Sequence, residues 1–235
     1  MNTKARPCDP RRFKDLIYEH FARIGKATGN PKRLEMLDLL CQGEKPVEEL
    51  ARQAQLDVKS VSAHLKVLRA TNLVTARRQG KFVYYSIADG LVADYWLMTR
   101  SVAEHRFAEI DRAVKSYFSE RGLMLPMDRQ VLLGKARRGE VVVLDVRPAS
   151  EYEAGHLPHA RSLPLSELER ELATLPRDKT IVAYCRGPYC VLSQEALGML
   201  RKRGFEAYRL QDGVLEWQAA GLPVMRSTAT SEGPR

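Results

Sequence analysis

The sequence predicts two domains. The first is mainly α, with a helix–turn–helix and a β-hairpin wing, and the second is α/β with a parallel sheet. Three observations lead there. Between residues 28 and 87 helical apolar spacing is cut by short turns and gives way to two strand-like runs about a basic turn. Beyond Pro126 continuous apolar runs alternate with helical stretches, the pattern of strands covered on both faces. Charge divides likewise: residues 1–122 hold 22 Lys and Arg against 15 Asp and Glu, while residues 123–235 hold 16 against 14. Most of the net +9 lies in the first half, as expected of a half that meets a polyanion, although a solubilising surface reads the same way.

Taken in order, residues 1–12 carry Pro7, Pro10 and four basic residues, and read as a mobile basic arm. Phe13 to Lys26 has helical apolar spacing at Leu16, Ile17, Phe21 and Ile24. Asn30 and Pro31 read as N-cap and first position of a second helix, through Leu40, which Gly43 ends. Pro46 opens a short third helix, Val47 to Gln53. Ala54-Gln55-Leu56 is a tight turn, and Asp57 caps a fourth helix, Val58 to Ala70, with Val61, Leu65 and Leu68 inward. Strands Leu73–Arg78 and Phe82–Ile87 flank the turn Gln79-Gly80-Lys81. Leu91, Tyr95, Met98, Val102, Phe107, Ile110, Val114 and Tyr117 then suit one long helix, 91–120, read as a homodimer seam; the same spacing also fits a helix packed on its own domain.

The predicted boundaries are 13–121 for the DNA-binding and dimerisation domain, 122–127 for a linker, 128–225 for the second domain and 226–235 for a disordered tail. In the second domain Val141–Leu144 and Ile181–Tyr184 read as strands, Ser166–Leu175 and Leu192–Arg203 as helices. No apolar run approaches the roughly 20 residues of a membrane span, and no apolar segment follows the basic N-terminus as in a signal peptide. Cys8, Cys41, Cys185 and Cys190 form no evident disulfide framework. The expectation is a cytoplasmic protein with reduced thiols and no metal or other cofactor.

On the fourth helix Lys59, Ser60, Ser62, Ala63 and Lys66 are left on the outer face, with His64 either touching DNA or packing at the edge. Such a helix enters the major groove: lysines reach phosphates and serines reach bases or backbone. Arg77, Arg78 and Lys81 at the hairpin suit phosphates or the minor groove. Gly29-Asn30-Pro31-Lys32-Arg33-Leu34, Val61-Ser62-Ala63-His64-Leu65 and Arg77-Arg78-Gln79-Gly80-Lys81-Phe82-Val83-Tyr84-Tyr85 together resemble the ArsR-type winged helix-turn-helix regulators. The resemblance implies a homodimer on a palindromic double-stranded DNA operator, released by a sensing event. Two departures stand out. Metal-sensing members carry Cys-x-Cys where this chain has Lys45-Pro46-Val47-Glu48-Glu49. Thiol-sensing relatives pair a second-helix cysteine with one on the last helix, but residues 88–122 hold none, so Cys41 reads as a small core residue. Gln55 replaces the glycine usual in the turn.

The most informative segment is Cys185-Arg186-Gly187-Pro188-Tyr189-Cys190, between a strand and a helix. A thiol there meets converging N–H groups and the positive end of a helix dipole, which favour thiolate. With Leu144-Asp145-Val146-Arg147-Pro148, Glu151-Tyr152, Gly155-His156-Leu157-Pro158, Asp212 to Trp217 and Gly221 to Val224, this loop resembles a rhodanese domain. The resemblance implies that Cys185 takes up sulfane sulfur as a persulfide, with the N–H groups of Arg186, Gly187, Pro188, Tyr189, Cys190 and Val191 as an anion cradle. Arg186 would attract a small sulfur donor such as thiosulfate or a persulfide. Related phosphatases need Cys-x5-Arg, but Val191 stands there. Asp145, Arg147 and His156 read as structural. Cys190 has two readings: a resolving thiol that closes a bridge onto a Cys185 persulfide, or a residue filling space under the loop.

The combined reading is a dimeric transcriptional repressor whose rhodanese domain couples sulfur state to DNA binding. The alternative is a thiosulfate-type sulfurtransferase enzyme whose first half serves dimerisation or localisation, and a weaker third reading is a metal sensor whose ligands follow no recognised pattern.

Overall fold

The structure, a computed structural model, describes residues 9–118 and 128–227. The chain divides into two compact units, Met1–Trp96 and Leu97–Arg235, the division falling inside the fifth helix.

The first unit begins with α1 (Pro10–Thr28). The helix starts earlier than Phe13 because the Asp9 carboxylate accepts from the Arg11 N–H and Pro10 has no N–H to leave unpaired. Residues 10–12 are therefore helical rather than part of an arm, and residues 1–8 lie outside the described ones. Next come α2 (Pro31–Cys41), capped by the Asn30 side chain, and β1 (Lys45–Pro46), which apolar patterning did not reveal. After α3 (Val47–Ala54), Gln55 takes a left-handed conformation, φ 52°, without the usual glycine. Asp57 caps α4 (Val58–Ala70), and β2 (Val74–Gln79) turns into β3 (Phe82–Ile87). The antiparallel sheet runs β1-β3-β2. Met36, Leu37, Leu40, Leu50, Leu65 and Leu68 form a core with almost no exposure, so α4 is held by one face only.

The expected single helix over 91–120 is two: α5 (Gly90–Arg106) and α6 (Ala108–Phe118). The Phe107 N–H still bonds the Ala103 carbonyl at 2.9 Å, closing α5. Charge explains a break there, since His105 and Arg106 suit a helix C-terminus and Glu109 and Asp111 suit an N-terminus. The predicted linker, 122–127, lies outside the described residues.

In the second unit α7 (Arg129–Arg137) leads to β4 (Val141–Asp145), α8 (Ala149–Ala154), β5 (Ala160–Ser162) and α9 (Leu165–Glu171), extended by a single 3-10 turn, Leu172–Thr174. Then follow β6 (Thr180–Tyr184), α10 (Leu192–Lys202), β7 (Ala207–Arg209) and α11 (Val214–Ala219). The four strands are parallel in the order β5-β4-β6-β7. Both faces are covered: Leu168, Leu197 and Leu200 lie in one apolar layer, Leu132, Leu157 and Trp217 in the other. Met225, at the end of the predicted second domain, exchanges backbone hydrogen bonds with His156 at 2.8 and 2.9 Å. The tail was expected to be disordered over 226–235, but the Ser227 N–H reaches the Glu153 carbonyl at 3.2 Å. Residues 228–235 lie outside the described ones. Among the described residues no helix is long and apolar enough to cross a membrane, and no group of three or more His, Cys, Asp or Glu is arranged to hold a metal.

Candidate functional site

Side chains alternate along β6. Ile181, Ala183 and Cys185 point to the α10 face, Val182 and Tyr184 to the opposite one. The alternation that buries the strand thus aims the Cys185 sulfur at the start of α10. Residues 185–191 form the intervening loop. Two glycines let it lie close: Gly187 has φ +142°, and a Cβ on Gly213 would fall 2.5 Å from the Arg186 backbone.

Cys185 is 1% exposed. Its Sγ lies 3.2 Å from Ser193 Oγ and 3.4 Å from the Cys190 carbonyl oxygen, which accepts from the thiol form. Burial pushes this thiol up. Hydrogen bonds from the Cys190 thiol and from the Ser193 hydroxyl and N–H, with the charge of Arg209, outweigh it and bring the group down to about 6. The Cys190 thiol, donating to Cys185 and itself buried, is held up. The two thiols are neighbours and unbridged.

The cradle differs from the expected set of N–H groups 186–191. Pro188 has none, the Cys190 N–H bonds the Gly187 carbonyl at 3.3 Å, and the Arg186 N–H serves the Cys190 sulfur. The hydrogen bonds that reach Cys185 come from the Cys190 thiol, from Ser193 on the first turn of α10 and from Arg209. Arg186 is not available to a donor anion either. Its Nε and Nη2 grip Glu151 at 2.9 and 2.7 Å, because that carboxylate is fully buried and needs a cation. Val191 precedes α10 without capping it by its side chain. Tyr189 donates to Glu104 on α5, and its ring lies under the Arg100 guanidinium at 5.9 Å. Arg100 also pairs with Glu216 at 2.6 Å.

Arg147 and Asp145 form a buried pair: Arg147 Nη2 to Asp145 Oδ2 is 2.6 Å, and the same nitrogen holds the Gly155 carbonyl at 2.6 Å. His156 stacks on Tyr152 at 3.7 Å and bonds its carbonyl at 2.8 Å. Sequence reasoning missed Ser193 and Arg209. A signal for Arg209 existed, since at alternate positions it follows Phe205 and Ala207 on the apolar face of the strand.

On α4, Lys59, Ser62, Ala63 and Lys66 are exposed and His64 is half-buried. Ser60 differs from the expected DNA-facing role: its hydroxyl donates to Asp57 at 2.6 Å as part of the cap. In the wing Arg78 and Lys81 are exposed, while Arg77 is held by Glu44, with its Nε at 2.7 Å, and by Gln79. Cys41 is half-buried at the end of α2.

Comparison with known proteins gives two family matches: "Bacterial regulatory protein, arsR family" over residues 30–76 and "Rhodanese-like domain" over residues 128–220. One relative spans both: the HTH-type transcriptional regulator Rv0324 of Mycobacterium tuberculosis is 41% identical over 223 residues, covering 94% of this chain and 96% of that one. The second half also matches a sulfurtransferase of Allochromatium vinosum, 29% identical over 37% of this chain and 79% of that one. Among solved structures, the homodimeric winged helix-turn-helix domain Mb0332 of Mycobacterium bovis is 36% identical, covers 46% of this chain and 94% of that one, and has a TM-score of 0.39.

Proposed function

Because the chain belongs to the ArsR family of bacterial DNA-binding regulators and carries a rhodanese-like domain in its second half, we propose that sulfane sulfur bound at Cys185 sets its affinity for an operator. The observation that carries this reading is a buried thiol lowered to about 6, at the hub of a loop that also touches α5.

The chemistry needs no cofactor. The Cys185 thiolate attacks the outer sulfur of thiosulfate, the S–S bond breaks, and sulfite leaves with the electron pair. A persulfide donor reacts alike, its thiolate leaving. Cys190, once deprotonated, can then attack the Cys185 sulfur of the persulfide. That step forms a Cys185–Cys190 disulfide and expels hydrosulfide, so the incoming sulfur is reduced as the two thiols are oxidised.

Coupling follows from burial. A donor reaches a 1%-exposed sulfur only if the loop moves. Tyr189 on that loop is tied to Glu104 on α5, so loading disturbs the helix. Leu91, Met98 and Val102 of α5, then Phe107 and Tyr117, are left exposed. We read this run as the homodimer seam, which spaces two α4 helices on a palindromic operator. Lys59, Ser62, Ala63, His64 and Lys66 face the groove in this reading, with Arg78 and Lys81 on flanking phosphates.

The test is intact mass after treatment with thiosulfate, beside a footprint on the upstream promoter. One added sulfur, or an internal bridge, in wild type but not in Cys185→Ser, together with a footprint, supports the reading. Fast turnover without a footprint contradicts it and points to a plain sulfurtransferase.

A further inference from the structure

Arg209 ends β7, in the strand beside β6, and is 1% exposed. Its guanidinium lies under the loop. Nη2 donates to the carbonyl oxygens of Pro188 at 2.7 Å and Gly187 at 3.1 Å, and the Phe118 ring covers it at 4.1 Å. Nε lies 2.9 Å from Ser193 Oγ, and that oxygen lies 3.2 Å from Cys185 Sγ.

The direction of these bonds follows from the groups. A guanidinium has only donors, so the Ser193 oxygen must accept from Arg209. A hydroxyl has a single hydrogen, and with Arg209 holding its lone pair that hydrogen is left to point at the sulfur. A buried cation is costly unless its donors are matched, and here the matching groups are the loop carbonyls and the hydroxyl. From this geometry we propose that Arg209 is a positioning residue for Cys185: it fixes the loop from below and orients Ser193 so that its hydroxyl donates to the thiolate. This rests on Cys185 being the reactive thiol and adds the residues that make it so. Arg209 also favours the thiolate directly, through its own hydrogen bond to Cys185 and its positive charge.

The test is the pH midpoint of iodoacetamide labelling at Cys185 in the full-length protein. Cleavage after Arg186 separates Cys185 from Cys190, so each is read on its own peptide. Arg209→Gln should raise the midpoint by about one unit and slow labelling at pH 6 about fivefold. Arg209→Lys, which keeps the charge but not the fork, should fall between it and wild type. Ser193→Ala should also raise the midpoint, and the double variant should gain less than the sum, since one residue acts through the other. A wild-type midpoint in Arg209→Gln, or strictly additive shifts, overturns the inference. If Arg209→Gln does not fold, Arg209→Lys alone and on Ser193→Ala carries the same comparison, and a wild-type midpoint in Arg209→Lys overturns it. An ordinary midpoint in wild type itself overturns the underlying reading of Cys185 instead, so the two failures are distinguishable.

Discussion

Ser193 Oγ lies 3.2 Å from Cys185 Sγ, eight residues further along the chain and in the first turn of α10. This contact and the Cys190 thiol, rather than a ring of loop N–H groups alone, hold the sulfur as thiolate. Of the two loop cysteines, Cys185 is the more acidic, brought to about 6 while its neighbour is raised. The sign is fixed: above pH 6 Cys185 is mostly thiolate, and it is protonated as pH falls through 6. At pH 7 iodoacetamide should therefore label the peptide ending at Arg186 before the one containing Cys190, and the rate should fall about tenfold between pH 7 and pH 5. Labelling of Cys190 first contradicts this.

Cys190 is expected to act after sulfur is loaded. Treated with a sulfane-sulfur donor, wild type should form a Cys185–Cys190 bridge, and Cys190→Ser should stop at the persulfide. Mass spectrometry showing only persulfide in wild type would remove the resolving role and leave Cys190 as a hydrogen-bond donor.

The Asp145–Arg147 pair is fully buried and shares its donors with the Gly155 carbonyl, before the His156–Met225 bridge. Removing one partner leaves a buried charge. Arg147→Ala should destabilise the second unit by about 3–5 kcal/mol, read by denaturant unfolding. A loss under about 1 kcal/mol contradicts a structural role for the pair.

Lys59 and Lys66 are exposed on the outer face of α4, whereas Arg77 is already engaged by Glu44. Each lysine replaced by alanine should lower the salt slope of promoter binding by about 0.9. Arg77→Ala should change it less. Equal effects would mean that Glu44 releases Arg77 on DNA.

Much of this was legible in the sequence because it depends on local chemistry. Asn30 and Asp57 cap their helices as their positions dictate, and Val61, Leu65 and Leu68 fall inward at helical spacing. The fold class and both family resemblances followed from such signals. What was not legible depends on partners distant in sequence. Arg186 looks available until Glu151 is found buried beside it, 35 residues upstream. Arg209 reaches the loop only because β7 lies next to β6 in the parallel sheet. The break at Phe107 escaped because apolar spacing continues through it, and only the reversal of charge from Arg106 to Glu109 marks it.

Tyr189 joins the loop to α5 through Glu104. Tyr189→Phe should leave DNA affinity before sulfur loading within about twofold of wild type, and should shrink the change on loading, since coupling free energies of about 1–3 kcal/mol are within reach of one hydrogen bond to a charged group. Fluorescence anisotropy on promoter DNA checks this, and a full-size response in Tyr189→Phe contradicts the route through α5.

The most direct test of the central claim is the same anisotropy titration, at one stated salt concentration, on wild type and Cys185→Ser before and after a sulfane-sulfur donor. The account predicts an affinity change of about five-fold or more in wild type and none in Cys185→Ser. Tight binding in both proteins that the donor leaves unchanged would contradict it.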